Sequence, residues 1–213
     1  MKSNFSMKLQ VANASIAIAL LSGGCAMAPK AIPEFAATGS SWTVNYRATG
    51  SFGSVSDQRT AVVLPNRIWQ GRAVRAIEGK NFTTLSDPAT GAWIAQVRGT
   101  SPIISWDPAL GYEWPMTVGK TWKSKHRVMV HATNQTIDIE SRWMVESYGD
   151  VTVPAGTFKA FKVTYSDNIG NEVVNWWSPQ VQGNAKTRTV RTSKHRAGAG
   201  TIDTELVSYS PRK

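Results

Sequence analysis

The sequence predicts an all-β protein: one antiparallel domain of about ten to twelve strands, closed as a barrel, half-barrel or sandwich, behind an N-terminal signal segment. Three observations predict it. After Gly39 the side chains alternate between apolar and polar with the strand period of two, and no stretch repeats every 3.6 residues as a helix would. Turn-forming Gly, Pro, Asn and Asp punctuate that alternation. Nine tryptophans, with valines and threonines throughout, suit the half-buried surface of a pleated sheet.

The chain opens with Lys2 and Lys8, runs uncharged from Leu9 to Met27, and places an apolar stretch at Ile16 to Leu21 before small residues. This is the layout of a secretion signal, and the apolar stretch is shorter than the roughly 20 residues a membrane span needs. Two cleavage sites fit. Ala26-Met27-Ala28 is an A-x-A site, but it leaves Pro29 first, which ordinary signal peptidase disfavours. Leu21-Ser22-Gly23-Gly24-Cys25 resembles the bacterial lipobox, with Ser22 where that motif usually has leucine. Cys25 is the sole cysteine, so an exported chain has no internal disulfide for it, and a thioether to diacylglycerol consumes the exposed thiol. Diacylglycerol plus an amide-linked fatty acid such as palmitate holds a protein firmly where one chain would not. The expected organisation is a lipoprotein signal peptide at 1–24, a lipid-anchored tether at 25–39, and a single β domain at 40–213. Resemblance to bacterial lipoproteins implies outer-membrane sorting in a Gram-negative host, because Ala26 is not the aspartate of inner-membrane retention.

Within the domain, Trp42, Val44, Tyr46 and Ala48 alternate with Thr43, Asn45, Arg47 and Thr49. Ile137, Ile139, Trp143 and Val145 do the same against Asp138, Glu140, Arg142 and Glu146. The strand from Trp122 sets Val128 and Val130 opposite Lys123, Lys125 and Arg127. Further strands are expected near 59–64, 67–77, 81–86, 92–97, 158–166, 172–177, 186–193 and 201–209. Turns are expected at Leu64-Pro65-Asn66, Asp87-Pro88, Asp107-Pro108 and Gly198-Ala199-Gly200. In VTVPAGTFKAFKVTY (151–165), Pro154 fixes φ at the first corner of a turn and Gly156 supplies the left-handed position that starts the return strand.

That hairpin, with WPMTVGKTW (114–122) and NWWSPQV (175–181), resembles bacterial envelope proteins that share three features. These are a Gly-Lys-Thr-Trp strand start, a Val-Pro-Ala-Gly-Thr-Phe hairpin and a later Trp or Tyr strand ending in Ser-Pro. The resemblance covers Pro115 to Val190 well and the first half loosely. It implies an extracytoplasmic β-rich domain related in shape to the half-barrels of lipoprotein carriers, and it brings no catalytic or binding residue.

The net charge is +10, and loss of residues 1–24 removes two lysines and no acid, leaving +8. Basic residues cluster at Lys120, Lys123, Lys125 and Arg127, and again at Lys186, Arg188, Arg191, Lys194 and Arg196, with no acid between Lys186 and Ile202. Outside the cytoplasm such a surface meets lipid headgroups or anionic envelope polymers rather than nucleic acid. A solvated edge strand that resists aggregation uses the same residues.

Most catalytic motifs fail. GKT at 119–121 lacks the P-loop glycine five residues earlier, where Trp114 stands, and a strand follows it. GAGT at 198–201 is a turn. His126 and His131 are five apart on one strand and face opposite sides, so they hold no metal together. No G-x-S-x-G marks a nucleophilic serine, so a hydrolase would need scattered catalytic residues. Asp138 and Glu140 share a strand face with Arg142, as in an alternating charge ladder. Trp176 and Trp177 make both faces of their strand apolar; Asn175 shares the face of Trp177 and gives it a polar element for orienting a ligand. The expected activity is therefore non-enzymatic and without cofactor: an anchored β domain that binds an amphiphile through Trp177 and Asn175, or a scaffold that holds an acidic partner through its basic strands.

Overall fold

The computed structural model describes residues 29–212; the signal segment and Cys25 lie outside them. The chain forms β1 (Lys30–Ala31), β2 (Ser41–Gly50), β3 (Val55–Trp69), β4 (Arg72–Glu78), β5 (Thr83–Ser86), β6 (Trp93–Arg98) and β7 (Ser101–Leu110). It continues with β8 (Met116–Thr117), β9 (Thr121–Val130), β10 (Gln135–Val153), β11 (Gly156–Asp167), β12 (Asn171–Ser178), β13 (Gly183–Arg191) and β14 (Gly200–Ser210). No helix forms among the described residues. Twelve strands close a barrel in the order β10-β11-β12-β13-β14-β2-β3-β4-β5-β6-β7-β9, and β1 pairs β8 in a separate two-stranded sheet. The ring is sealed by a short antiparallel seam between β7 and β9, from Ile104 opposite Val130 to Asp107 opposite Arg127. Of the expected closures, the barrel is the one that forms.

The main core lies on one face of β10–β12, where period-two alternation buries Trp143, Val145, Phe161, Val163, Tyr165 and Trp177. Trp143 stacks on Trp122 at 5.3 Å and meets Tyr165 edge-on at 4.6 Å. Trp114, in the connection between β7 and β8, packs edge-on against Trp177 at 5.2 Å and against Phe35 at 6.3 Å. Phe35 in turn lies under the guanidinium of Arg75 on β4, which donates to the Ala36 carbonyl at 3.2 Å. β12 and β4 are five strands apart in the ring. The contact path Trp177–Trp114–Phe35–Arg75 therefore crosses the inside of the barrel, and the Trp114 connection and the Phe35 segment fill it.

That filling revises the expected tether. Ala31 and Ala36 are buried and Lys30–Ala31 is a strand, so residues 30–36 belong to the packed domain. Their alanines, which read as linker composition, are small enough to pack inside, and Ala31 joins the main core cluster. A second apolar cluster, Val74, Ala76, Leu85, Ile94, Ala95 and Val97, occupies β4–β6. A third joins Val151, Val153 and Ala160 of the β10–β11 hairpin to Val181, Ala185 and Leu206, and the hairpin tip docks there through the Ala155 amide on the Leu206 carbonyl at 3.0 Å. That hairpin turns over Pro154-Ala155 with Val153 opposite Gly156, and Gly156 takes φ +127° as expected.

Two of the expected turns change, and one reversal falls inside an expected strand. Pro65-Asn66 is a bulge inside β3, because Leu64 pairs Ala76 while Arg67 already pairs Val74. The chain reverses at Gln70-Gly71, both with positive φ, the two-residue geometry that matches strand twist. Asp107-Pro108 lies within β7. Proline at an irregular strand position mimics a turn in sequence, since both lack a ladder N–H.

Candidate functional site

The antiparallel register of β9 and β10 sets charges face to face. Arg127 stands opposite Asp138, Lys125 opposite Glu140 and Lys123 opposite Arg142. The first two steps are ion pairs, at 3.9 Å and 2.6 Å. Hydrogen bonding and charge from Lys125 hold the Glu140 carboxyl below its ordinary value, and Glu140 raises Lys125 in the same way. At the third step like meets like. Among the described residues neither Lys123 nor Arg142 has a carboxylate within 4.0 Å: the field of Lys123 reaches Glu140, but that carboxylate is held by Lys125. Like charges directly opposite on a sheet are destabilising.

The row that starts at Lys123 and Arg142 continues through Ser166 on β11 and Glu172 on β12 to Val190 on β13. The next row is Thr121, Met144, Thr164, Val174 and Arg188. These ten residues, with Trp122, Trp143, Tyr165 and Val173 between them along the strands, line a hollow of about 800 Å³ over β9–β13. Its floor is apolar: Met144 is 41% exposed, and Val174 and Val190 are half-buried. Arg188 is only loosely held, 3.8 Å from Asp203. Beneath the floor Trp143 stacks on Trp122 and meets Tyr165 edge-on.

The sequence-predicted ligand residues sit elsewhere. Trp177 is 4% exposed within the main core, and Asn175, 9% exposed, accepts from Thr187 Oγ1 at 3.1 Å and Asn184 Nδ2 at 3.3 Å. Neither lines the hollow. Trp176 is the more exposed of the pair, with Lys186 Nζ 5.7 Å from its ring. The basic run from Lys186 is not one surface either. Lys186 pairs Glu205 at 2.7 Å and Arg188 faces Asp203, both acids supplied by β14. Arg191 lies over Phe52 at 3.8 Å, and burial lowers its guanidinium pKa against a smaller opposing effect of Tyr46. Lys194 is exposed, and Arg196 donates to Gln135 at 3.0 Å. Only Arg188 of that group reaches the hollow.

Two other places invite chemistry. A smaller hollow of about 270 Å³ lies among Trp42, Val44, Tyr46 and Phe82, but its cations are taken: Asp57 binds Arg59 at 3.0 Å and Lys80 at 2.7 Å. Ser124 and His126 form a hydrogen-bonded pair at 2.7 Å, with His126 Nδ1 2.8 Å from the Pro108 carbonyl. A carbonyl only accepts, so Nδ1 carries the proton and Nε2 accepts from Ser124. Ser124 Oγ also lies 2.7 Å from Ser141 Oγ and accepts from Trp143 Nε1 at 3.3 Å, which fills its bonding capacity. With His126 and Ser141 buried, this is a satisfied polar network under the sheet. Among the described residues no three His, Cys, Asp or Glu side chains converge as a metal site.

No family model matches the sequence, and no curated protein matches it. Solved structures align with the chain over most of its length. A protein of Bacteroides fragilis described as exported, with a YmcC-like fold, superposes with a TM-score of 0.49 at 13% identity, over 84% of this chain and 99% of its own. The hypothetical lipoprotein YmcC of Escherichia coli K12 gives 0.43 at 10% identity, over 82% and 86%. A protein of Parabacteroides distasonis described as a lipoprotein gives 0.39 at 10% identity, over 84% and 99%. Likeness at these scores transfers no ligand, partner or activity to this chain.

Proposed function

We propose that the chain is a bacterial envelope lipoprotein, anchored through Cys25, whose β domain binds an amphiphile at the membrane surface without catalysis. The observation that carries the reading is the hollow over β9–β13: an apolar floor bordered by two cations that lack acidic partners and oppose each other. An amphiphile satisfies both parts, covering Met144, Val174 and Val190 while its anionic end relieves the repulsion between Lys123 and Arg142.

The position of the hollow supports the same reading. Lys30, where the packed domain begins, is five Cα steps from Cys25. At about 3.5 Å per extended residue, that link holds the barrel within about 17 Å of the anchor. Lys30 pairs Thr117, and four residues later Thr121 begins β9 at the edge of the hollow. The hollow thus opens near the anchored end. Placement at the periplasmic face of the outer membrane rests on Ala26 after the anchor cysteine. The scaffold reading, polyanion binding through Lys186, Arg188, Arg191, Lys194 and Arg196, draws less support, since Glu205 and Asp203 already occupy the first two.

Metabolic labelling with a palmitate analogue tests the anchor: the wild type is labelled and Cys25→Ser is not. A mature N-terminus at Pro29 refutes it.

A further inference from the structure

We infer that the hollow selects a phospholipid with a zwitterionic ethanolamine headgroup, its phosphate gripped by Lys123 and Arg142 and its ammonium by Glu172. This rests on the amphiphile reading and adds the headgroup. The first row of the hollow carries, in order, a lysine, an arginine, a serine and a glutamate on adjacent strands. Strands are spaced about 4.8 Å apart, so Glu172 lies about 10 Å across the sheet from Arg142. Glu172 is exposed, and among the described residues it has no cation within 4.0 Å. The acids of β10 and β14 are all matched: Asp138, Glu140, Glu146, Asp150, Asp203 and Glu205 each face a Lys or Arg. Among the described residues, the mismatches on this face of β9–β12 lie in one row, with positive charge in excess at one end and an unmatched negative charge at the other.

The chemistry of that row is specific. Arginine presents a planar fork of N–H donors and lysine a compact ammonium, and together they suit the several acceptor oxygens of a phosphate. The Ser166 hydroxyl stands next in the row to donate to the same group. A carboxylate would offer only two oxygens to two opposed cations. A purely anionic headgroup would meet Glu172 with repulsion, whereas an ethanolamine ammonium, two carbons beyond the phosphate ester, meets it with attraction. The acyl chains then run over Met144, Thr164 and Val174 in the adjoining row and Val190 at the end of the first. No bond is made or broken; the site holds and orients.

The test titrates the mature, full-length protein in non-ionic detergent with dihexanoyl phosphatidylethanolamine, dihexanoyl phosphatidylglycerol and inorganic phosphate, followed by calorimetry. The wild type is expected to prefer the ethanolamine lipid. Combined Lys123→Gln and Arg142→Gln should weaken it about tenfold or more, the scale of a lost charge-assisted contact. Glu172→Gln should abolish the preference for ethanolamine over glycerol, weakening the ethanolamine lipid and tightening the glycerol lipid as the carboxylate's repulsion is removed. Because the double substitution removes opposed like charges, its melting temperature should not fall, which separates lost binding from lost folding. Lipid binding unchanged in the double variant overturns the clamp but leaves the amphiphile reading. Equal or tighter binding of phosphatidylglycerol by the wild type overturns the headgroup assignment. Inorganic phosphate binding as tightly as the lipid marks a free-anion site and overturns the lipid. Failure of the wild type to bind either lipid overturns both this inference and the reading on which it rests.

Discussion

Replacing Trp177 by alanine removes the ring on which the inside of the barrel is assembled. Its side chain is 4% exposed and packs edge-on against Trp114, which reaches on to Phe35 and Tyr112. Truncating a buried tryptophan to alanine costs about 3–5 kcal/mol, combining lost transfer energy with the cavity left behind. For a domain of this size each kcal/mol shifts the melting temperature by about 2–4 °C, so Trp177→Ala should melt about 6–20 °C lower. Trp176 is the internal control. It lies on the opposite face of the same strand, half-buried, with Lys186 near its ring. Its loss should cost about half as much, roughly 1.5–2.5 kcal/mol. Thermal and urea unfolding of the two variants side by side measures the difference. Equal losses, or a milder effect at Trp177, would refute the placement of the Trp114 connection inside the barrel.

Lys123→Glu places an acid opposite Arg142 and should stabilise the domain by about 0.2–1 kcal/mol in urea unfolding, while abolishing amphiphile binding; a destabilised variant contradicts the register of β9 and β10. Gly156→Val should destabilise by about 1–2 kcal/mol, since φ +127° strains a β-branched residue even though the space around it is open; an unchanged melting temperature argues against the hairpin. Burial tends to raise the Asp87 carboxyl, but hydrogen bonds from Thr90 and Ala89 and the charge of Arg72 outweigh it and hold the pKa below 3.8. A depressed native pKa stabilises above the unfolded value and loses that stabilisation as pH falls through the native one. The stability gap between wild type and Asp87→Asn should therefore be present at pH 7 and close in acid; a gap independent of pH contradicts the turn assignment.

The strand pattern was legible because alternation reports which face is buried, and one face of β10, β11 and β12 is buried along most of its length. What alternation cannot report is register. In sequence, Lys120 to Arg127 and Lys186 to Arg196 read as two equivalent basic runs. Only pairing shows that Glu140 and Asp138 neutralise part of the first, and that Glu205 and Asp203, beyond a loop, neutralise part of the second. The same pairing isolates Lys123 and Arg142. The signal for them was present as a broken ladder, since Asp138 and Glu140 are followed on the same face by Arg142 where a third acid would have completed it. Alternation separates Trp177 from Trp176, but the dry face is that of Trp177 and Asn175 and the more open one that of Val174 and Trp176, the reverse of the expectation. The Trp177 face looked available for a ligand because the parts that cover it, Trp114 and the Phe35 segment, come from loops whose path no local pattern encodes. Met144 was invisible for a related reason: its exposure depends on how five strands curve together.

Native mass spectrometry of the mature protein, extracted from its own host in mild detergent, tests the amphiphile site most directly. The account predicts an adduct beyond the Cys25-linked lipid, with the mass of an ethanolamine phospholipid, present on the wild type and absent from the Lys123→Gln, Arg142→Gln variant. A wild-type protein that carries its anchor alone, even after incubation with the host's own lipids, would contradict it.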